Sequence, residues 1–187
     1  MIYLASTSPR RRRILKEFGI AFKPMAPDYT EENHPHASPG VLVKRHALGK
    51  AASCLSRIRQ GTIWGVDTIV YCGRKIIGKP NNCRDAFKIL GSLQGRWHTV
   101  YTGVAVLNVK NHHVQKKNVF FEKTRVRLRP LDHRAMELYF KKINPMDKAG
   151  AYAIQFKGAN IIAEVKGSLT NAIGLPVERL VDAGKLI

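Results

Sequence analysis

Short apolar runs and polar segments alternate along this chain in a pattern that predicts strands and helices in turn. The apolar run 1–5 predicts a strand. The serine and proline at 8–9 predict the start of a helix, because serine caps helices and proline favours their first position. Gly19 predicts the end of that helix. A second strand is predicted over 20–25, and the polar, proline-containing segment 26–37 predicts a loop.

The middle of the chain continues this alternation. Apolar residues at helical spacing predict a helix from Ser38 to Gly61. The apolar run 62–72 predicts a buried strand that a polar pair, Asp67 and Thr68, interrupts. A short turn then leads into a returning strand.

The second half of the chain predicts three more helices and a long antiparallel hairpin. Trp64 and Trp97 adjoin apolar strands and are expected in the core. The predicted helices cover residues 82–95, 132–143 and 174–184. The predicted hairpin has strands 98–109 and 119–128, which a polar turn joins. The whole pattern predicts an α/β fold with a mixed twisted sheet and flanking helices, in one domain over 1–187 or in two lobes that share one sheet.

Composition narrows the class of protein. Hydrophobic residues make up 44% of the chain and charged residues 24%, which is typical of a globular protein. No apolar run approaches the roughly eighteen residues of a membrane span, and the residues before the arginines are too few for a secretory signal. The three cysteines are far apart and form no C-x-x-C pair, which indicates reduced thiols. We therefore expect a cytoplasmic protein with no membrane partner.

The formal net charge of +19 at pH 7 is the one unusual total. It predicts a positive field that attracts polyanions of any kind, which bears on partners rather than on the fold. No zinc finger and no RNP-type aromatic motif accompanies it. Nucleic-acid binding through this charge stays an open alternative, but the sequence does not lead us to expect it.

The segment STSPRRRR at 6–13 combines groups that bind phosphate. The first turn of a helix presents unpaired N–H groups and the positive end of the helix dipole, and Ser8 adds a hydroxyl donor. Arg10 and Arg11 lie in that turn, where a guanidinium can bind two phosphate oxygens. Because successive helical residues point about 100° apart, four arginines cannot share one ligand. We expect the arginines at 12–13 to be solvated; an exposed basic helix without a ligand is the alternative.

Asp67 interrupts an apolar strand, where a carboxylate without a partner is costly. It is either a structural group, as a helix N-cap or a member of an ion pair, or a metal-binding or catalytic group. Glu31 and Glu32 in the acidic loop, and Lys79 beyond the returning strand, favour the second interpretation. Carboxylates near phosphate-binding cations suit Mg²⁺-assisted phosphoanhydride chemistry. The histidines lack the spacing of a zinc site.

Seven separated motifs occur in one order along nearly the whole chain: LASTSPRRRRIL, YTEE, GVDTIV, GKP, HTVYTGV, DKAGAYAIQ and GLP. In these the chain resembles the Maf family of nucleoside triphosphate pyrophosphatases. The resemblance implies a fold like that of the inosine triphosphate pyrophosphatases, with two lobes around a cleft. It also implies cleavage between the α- and β-phosphates of a nucleoside triphosphate with a divalent metal, Mg²⁺ or Mn²⁺, and a homodimer.

The resemblance implies a role for individual residues. Asp67 matches the aspartate taken as the proton acceptor, and Glu32 matches a metal-associated acid. Because carboxylates are weak bases at neutral pH, we expect Asp67 chiefly to orient water and to hold the metal. The phosphate-contacting positions of the family are matched by Ser8, Arg10, Arg11, Lys50 and Lys79.

Three positions imply the substrate branch. The branch that acts on dTTP and UTP has Arg, Thr and Gln where this chain has Arg10, Thr68 and Gln155. The branch that acts on 7-methyl-GTP typically has a non-Arg residue, Gln and Glu. A neutral amide can pair with the donor and acceptor on a uracil or thymine edge, so dTTP, UTP and modified pyrimidine nucleotides are the expected substrates. Phe156 replaces a usual glycine and Gly49 a usual charged residue.

Two functions from other classes stay open. One is a basic nucleic-acid-binding protein that has kept the fold, and the other is a regulator of cell division, because the family is associated with inhibition of septum formation. Retention of Asp67 and Glu32 favours the enzyme, since a binder of polyanions gains nothing from acidic groups in a basic site.

Overall fold

The structure of the chain is a computed structural model that describes residues 1–32, 37–155 and 160–185. Within these ranges it forms one mixed sheet and flanking helices. The strands are β1 (Ile2–Ala5), β2 (Phe22–Met25), β3 (Gln60–Cys72), β4 (Lys75–Ile77), β5 (Trp97–Lys110), β6 (His113–Leu128) and β7 (Ile162–Lys166). The helices are α1 (Pro9–Glu17), α2 (Pro39–Ala52), α3 (Cys83–Leu93), α4 (His133–Phe140), α5 (Leu169–Ile173) and α6 (Val177–Lys185).

The sheet combines parallel and antiparallel pairs. Its order is β2-β1-β3-β5-β6-β7, with β4 paired to β3 beside this path. Strand β1 is parallel to both β2 and β3, whereas β4 is antiparallel to β3 and β7 is antiparallel to β6. The prediction of an α/β fold with a mixed sheet is confirmed.

The chain divides into two compact units. Unit 1 consists of Met1–Thr68, Thr102–Glu122 and Gly174–Ile187, and unit 2 of Ile69–Tyr101 and Lys123–Ile173. Each unit has its own hydrophobic cluster. The sequence allowed for two such parts built on one sheet.

In unit 1, helix α2 lies directly on two strands because glycines leave room for its backbone. A Cβ on Gly65 in β3 would overlap the carbonyl oxygen of Ala47, and one on Gly103 in β5 would overlap that of Val43. A side chain larger than hydrogen at either position would push the helix away. This contact fixes the last turn of α2, which carries Lys50, against β3.

Unit 2 packs α3 and α4 on one face of its strands. The cluster includes Val70, Leu90, Val126 and Tyr139, each nearly inaccessible to solvent. On the same side of β5, the buried His98 bonds through Nε2 to the Tyr152 hydroxyl at 2.7 Å. Burial lowers the pKa of His98 to about 4 and raises the pKa of Tyr152.

The second helix is shorter than the sequence predicted. Helix α2 ends at Ala52, a 3-10 turn covers Leu55–Arg57, and β3 begins at Gln60. Cys54 and Ile58 are buried in the same core as the helix. Apolar residues therefore keep an apparent helical spacing after the helix itself has ended.

The hairpin turn is also narrower than predicted. Only Asn111 and His112 connect β5 to β6, both with positive φ (52° and 63°), as tight two-residue hairpin turns require. The first five residues of β6, His113–Lys117, are exposed. Because this part of the strand is exposed on both faces, it lacks the alternation of apolar and polar residues that predicts a strand, and its sequence was interpreted as a turn. Helix α5 was not predicted.

Of the two tryptophans that were expected in the core, one is buried there and the other is not. Trp64 is buried, with 4% of its surface exposed, as expected. Trp97 is half-buried and lies among cationic side chains rather than in a core. No helix of the described ranges is long and apolar enough to cross a membrane. The three cysteines are free thiols.

Candidate active site

An ion pair between Asp67 and Lys50 lies at the centre of the candidate site in unit 1. Lys50 Nζ is 2.6 Å from Asp67 Oδ1, and the two side chains are only 12% and 6% exposed. The pair forms because α2 lies against β3. The sequence left Asp67 between an ion-pair role and a catalytic role, and its first oxygen has the ion-pair role.

Lys50 also joins a second carboxylate to Asp67. Its Nζ lies 2.6 Å from Glu31 Oε1 as well, so one ammonium group bridges both acids. The neighbouring Glu32 pairs instead with Arg45 at 3.7 Å, and both of those side chains are exposed. The assignment of Glu32 to a metal stays a prediction, and the structure places Glu31 next to Asp67.

The second oxygen of Asp67 is the most distinctive atom of the site. Asp67 Oδ2 is buried and has no hydrogen-bond partner among the residues that the structure describes. A buried carboxylate oxygen without a partner is costly unless a water or a cation satisfies it. Mg²⁺ commonly takes one or two carboxylates together with substrate phosphates and water. Asp67, with Glu31 on the same lysine, therefore fits a divalent cation of that type.

The N-terminus of α1 has the capping residues that the sequence predicted. Ser8 is the N-cap residue, its side chain makes no capping hydrogen bond, and Pro9 occupies the first helical position. The first turn holds no acidic residue. Backbone N–H groups at such a turn carry partial positive charge and favour an anion. The predicted phosphate-binding motif thus has the local structure that the prediction required.

Arg11 in α1 connects this helix to the strands beside Asp67. Its Nε donates to the Gly174 carbonyl, its Nη1 to Ser6 Oγ and its Nη2 to Thr68 Oγ1, each at 2.9 Å. Thr68 in turn lies 3.1 Å from the hydroxyl of Thr102. Contacts within the described part of the chain use three of the five guanidinium N–H groups in this way, and two remain for an anionic ligand.

The electrostatic environment of Arg11 indicates a site for negative charge. Burial lowers the pKa of Arg11 to about 10, Asp67 and Glu31 act in the opposite direction, and the nearby Arg10 lowers it further. The group remains charged at neutral pH. Two arginines held close together repel each other, and a bound phosphate would relieve that repulsion.

The remaining two arginines of the run differ from each other. Arg13 is exposed and pairs with Glu17 at 2.8 Å, which confirms that it is surface charge. Arg12 is half-buried, and its Nη2 donates to the Thr7 carbonyl at 2.6 Å. The prediction that Arg12 is solvated is wrong, because its side chain folds back over the strand-to-helix connection.

Tyr29 anchors the acidic loop on α2. Its hydroxyl lies 3.0 Å from His46 Nδ1, and its ring covers Gly49 so closely that a Cβ there would lie 2.5 Å from Tyr29 Cζ. Glu31 follows two residues later and reaches Lys50. The absence of a side chain at Gly49, the position that departs from the family pattern, is what allows the loop to lie here.

Two predicted site residues belong to unit 2. Lys79 follows β4 and Gln155 follows the buried segment 151–154, and both are exposed. Their roles in phosphate and base recognition stay predictions. Phe156 lies outside the described residues.

Sequence reasoning missed the residues that hold Arg11. Ser6 and Gly174 are far apart in the chain, and the tertiary fold brings both to the Arg11 guanidinium. Thr102 is bonded to Thr68, which accepts from the same guanidinium. Ser6 and Gly174 lie within the motifs STSP and GLP, which was the available signal. Tyr29 was within the YTEE motif but carried no predicted role.

Comparison with known proteins gives consistent results. The family model described as "Maf-like protein" matches residues 1–185. The dTTP/UTP pyrophosphatase of Gloeobacter violaceus is 40% identical over 181 residues, which cover 97% of this chain and 93% of that protein. The dTTP/UTP pyrophosphatase of Dictyoglomus thermophilum is 41% identical over 180 residues, or 96% and 92% of the two chains.

A solved structure can also be compared with the chain. The Staphylococcus aureus Ham1 protein covers 68% of this chain and 71% of its own, with 13% sequence identity and a TM-score of 0.43. This likeness is too distant to support a statement about fold or activity.

Proposed function

The chain belongs to the Maf family, and from that premise we propose that it is a nucleoside triphosphate pyrophosphatase that hydrolyses dTTP and UTP. The products are the nucleoside monophosphate and pyrophosphate. The observation that carries the proposal is the buried oxygen of Asp67 that has no partner among the described residues, on a strand whose next residue, Thr68, is bonded to Arg11 of the α1 N-terminus. An acid that can orient water therefore lies beside groups that would bind phosphate.

We propose that Lys50 and Arg11 stabilise negative charge in this reaction. Lys50 bridges Asp67 and Glu31, so it offsets one of their two negative charges and reduces their repulsion of a triphosphate. The first-turn N–H groups of α1, Ser8 and the two remaining donors of Arg11 would bind phosphate oxygens. These groups are preorganised by the fold, as effective electrostatic stabilisation requires.

Asp67 would orient the attacking water. With Oδ1 bonded to Lys50, the side chain has one fixed direction, and Oδ2 can accept a hydrogen bond from a water molecule and then its proton. Asp67, with Glu31 or Glu32, would hold a divalent cation, Mg²⁺ or Mn²⁺. A bound cation of this kind lowers the pKa of water and neutralises charge that develops on phosphate.

The choice of dTTP and UTP rests on the names of the relatives and on Arg10, Thr68 and Gln155. We propose that the Gln155 amide pairs with the pyrimidine edge and that Thr68 acts through its bond to Arg11. Action in the cytoplasm and assembly as a homodimer are part of the same proposal. The free thiols support the cytoplasm, and the resemblance supports the dimer.

The test is a panel of dTTP, UTP, CTP, GTP and 7-methyl-GTP, each with Mg²⁺, with Mn²⁺ and with a chelator. Pyrophosphate and orthophosphate are quantified separately. Metal-dependent release of pyrophosphate mainly from dTTP and UTP is the expected result. Preference for 7-methyl-GTP would contradict the assigned branch, and equal rates with the chelator would contradict the role of the cation.

A further inference from the structure

One face of the sheet in unit 2 carries cationic and aromatic side chains together. Along β6 the residues Thr124, Val126 and Leu128 are buried, so the alternating positions between them, Arg125 and Arg127, project from the opposite face and are exposed. This face is opposite to the one that the apolar cluster of unit 2 covers.

Three cationic side chains contact the ring of Trp97, in β5, on this face. The guanidinium carbons of Arg125 and Arg127 lie 4.7 Å and 5.5 Å from the centre of the indole ring, and Lys166 Nζ lies 5.1 Å from it. Each distance is within the range of a cation–π contact. Arg125 and Lys166 are also direct cross-strand partners in the β6–β7 register. We call these four residues the Trp97 cluster.

The positive charge of the Trp97 cluster is compensated only in part. Glu164 pairs with Arg127 and with Lys166, each at 3.2 Å. Arg125 forms no ion pair with any residue of the described ranges. Three cations therefore meet one carboxylate, and the excess charge favours an anionic partner.

Two further aromatic rings lie on the same face. Trp97 and Tyr101 are four residues apart in β5, with the buried His98 and Val100 pointing the other way. Tyr101 packs edge-to-face against Tyr71 of β3, with ring centres 6.1 Å apart. Four residues of strand span about 13 Å, so the Trp97 cluster and the tyrosine pair form two aromatic positions along one strand.

We propose that this face binds a single-stranded polynucleotide. Proteins that hold single strands combine cations that contact the backbone phosphates with aromatic or guanidinium planes on which bases stack. The Trp97 cluster supplies both kinds of group, and the Tyr71–Tyr101 pair supplies a second stacking position. The net charge of +19 supplies the long-range attraction. This binding is separate from the pyrophosphatase function and does not rest on it.

A duplex or a lipid surface fits this face less well. Duplex DNA is commonly bound by a helix or ribbon that enters a groove, whereas the Trp97 cluster lies on a sheet face with half-buried rings. Peripheral membrane binding combines basic residues with apolar side chains that insert into lipid. The aromatic rings here are bounded by cations instead.

Tryptophan fluorescence gives a direct measurement. The chain has two tryptophans, and Trp64 is buried in unit 1. A base that stacks on the Trp97 cluster should therefore quench mainly Trp97. The full chain is titrated with oligo(dT) and oligo(U) of about 12 nucleotides, a length within the usual range for one binding module, over several salt concentrations. The same oligo(dT) paired with its complement, and phosphatidylserine vesicles, serve as competing probes.

The decisive variant is Arg125→Ala with Arg127→Ala, compared with a charge-matched control, Lys88→Ala with Arg134→Ala. The control residues are exposed on α3 and α4 of the same unit. We expect the first variant to bind the oligonucleotide about tenfold more weakly or worse. It should also reduce the salt slope by about 1.4, since each lost phosphate contact contributes about 0.7 for a single strand. The control variant should change the affinity less than twofold.

Trp97→Phe keeps an aromatic ring and removes the signal, so its binding is followed by anisotropy of a labelled oligonucleotide and should remain near that of the unchanged protein. If both double variants lost the same affinity for the oligonucleotide, the proposal would be overturned, because binding would then depend on the net charge of the protein and not on this face. Tighter binding of the duplex or of the vesicles would overturn it too. So would displacement of the oligonucleotide by α,β-methylene-UTP, which would place it in the nucleotide site. A unit 2 face covered by a second copy would prevent quenching and overturn the proposal as well.

Discussion

Replacing Gly49 by alanine adds one methyl group at the point where the Tyr29 ring lies on α2. The new Cβ would lie 2.5 Å from Tyr29 Cζ, well inside contact distance, so the ring must move. Overpacking of this kind costs about 1–3 kcal/mol, and loss of the Tyr29–His46 hydrogen bond costs about 1 kcal/mol. Alanine gains about 1 kcal/mol over glycine in a helix. The net expectation is destabilisation by about 1–3 kcal/mol.

In the Tyr29→Ala background, Gly49→Ala should change the free energy of unfolding in the opposite direction. Without the ring there is no overlap, and Gly49→Ala should stabilise the protein by about 1 kcal/mol through helix propensity alone. The double-mutant cycle should therefore give a coupling energy of about 2 kcal/mol or more. Urea unfolding of the four proteins measures the free energy of unfolding in each case.

The activity of the same four proteins tests the link to the site. Because Tyr29 holds the loop that brings Glu31 to Lys50, Gly49→Ala and Tyr29→Ala should each lower kcat/KM for UTP. The double variant should be no worse than Tyr29→Ala. Stabilisation by Gly49→Ala in the unchanged background would refute the reasoning, since it would mean that the ring moves away at no cost.

Three further outcomes follow from the geometry. Thr68→Val should destabilise the protein by about 1.5–3 kcal/mol, measured by urea unfolding, because Arg11 loses a charged hydrogen bond; Thr68→Ser should restore most of it. Burial holds the pKa of His98 at about 4, below its unfolded value of 6.5. The contribution of neutral His98 to the free energy of unfolding should therefore be fully present above about pH 6.5 and be lost as the pH falls towards 4. The slope should reach at most about 1.4 kcal/mol per pH unit and should be smaller in His98→Gln, with His133→Gln as the exposed control; an identical slope in His98→Gln would contradict the assignment. Gln155→Glu should lower the ratio of kcat/KM for UTP to that for 7-methyl-GTP, and an unchanged ratio would show that Gln155 does not contact the base.

Local sequence signals predicted the elements that have local causes. Helix α1 begins at Pro9 after Ser8, and α3 begins after Asn82, whose side chain accepts a hydrogen bond from the Asp85 N–H. Capping and proline preferences act within a few residues, so they are visible without the fold. The end of α2 was wrong because Ile58, beyond the helix, is buried in the same core.

The sequence predicted several residues of the candidate site but not the contacts that these residues make. Asp67 was identified from its motif and Lys50 from the family resemblance, but the lysine bridge from Asp67 to Glu31 depends on α2 lying on Gly65. Arg12 was assigned to solvent from its position on the helix surface, and it folds back to the Thr7 carbonyl. Trp97 looked like a core residue because it adjoins the mostly apolar strand 98–109. Its actual partners come from β6 and β7.

The central claim is that Asp67 directs hydrolysis of a nucleoside triphosphate to the monophosphate and pyrophosphate. The most direct measurement is the product balance from UTP, with UMP, UDP, pyrophosphate and orthophosphate quantified for the unchanged protein and for Asp67→Asn. We expect equal amounts of UMP and pyrophosphate, with no UDP. We also expect a rate at least about a hundredfold lower in Asp67→Asn, because acid–base catalysis contributes about 10²–10⁴-fold, while α,β-methylene-UTP still binds. UDP with orthophosphate as products, or undiminished turnover in Asp67→Asn, would contradict it.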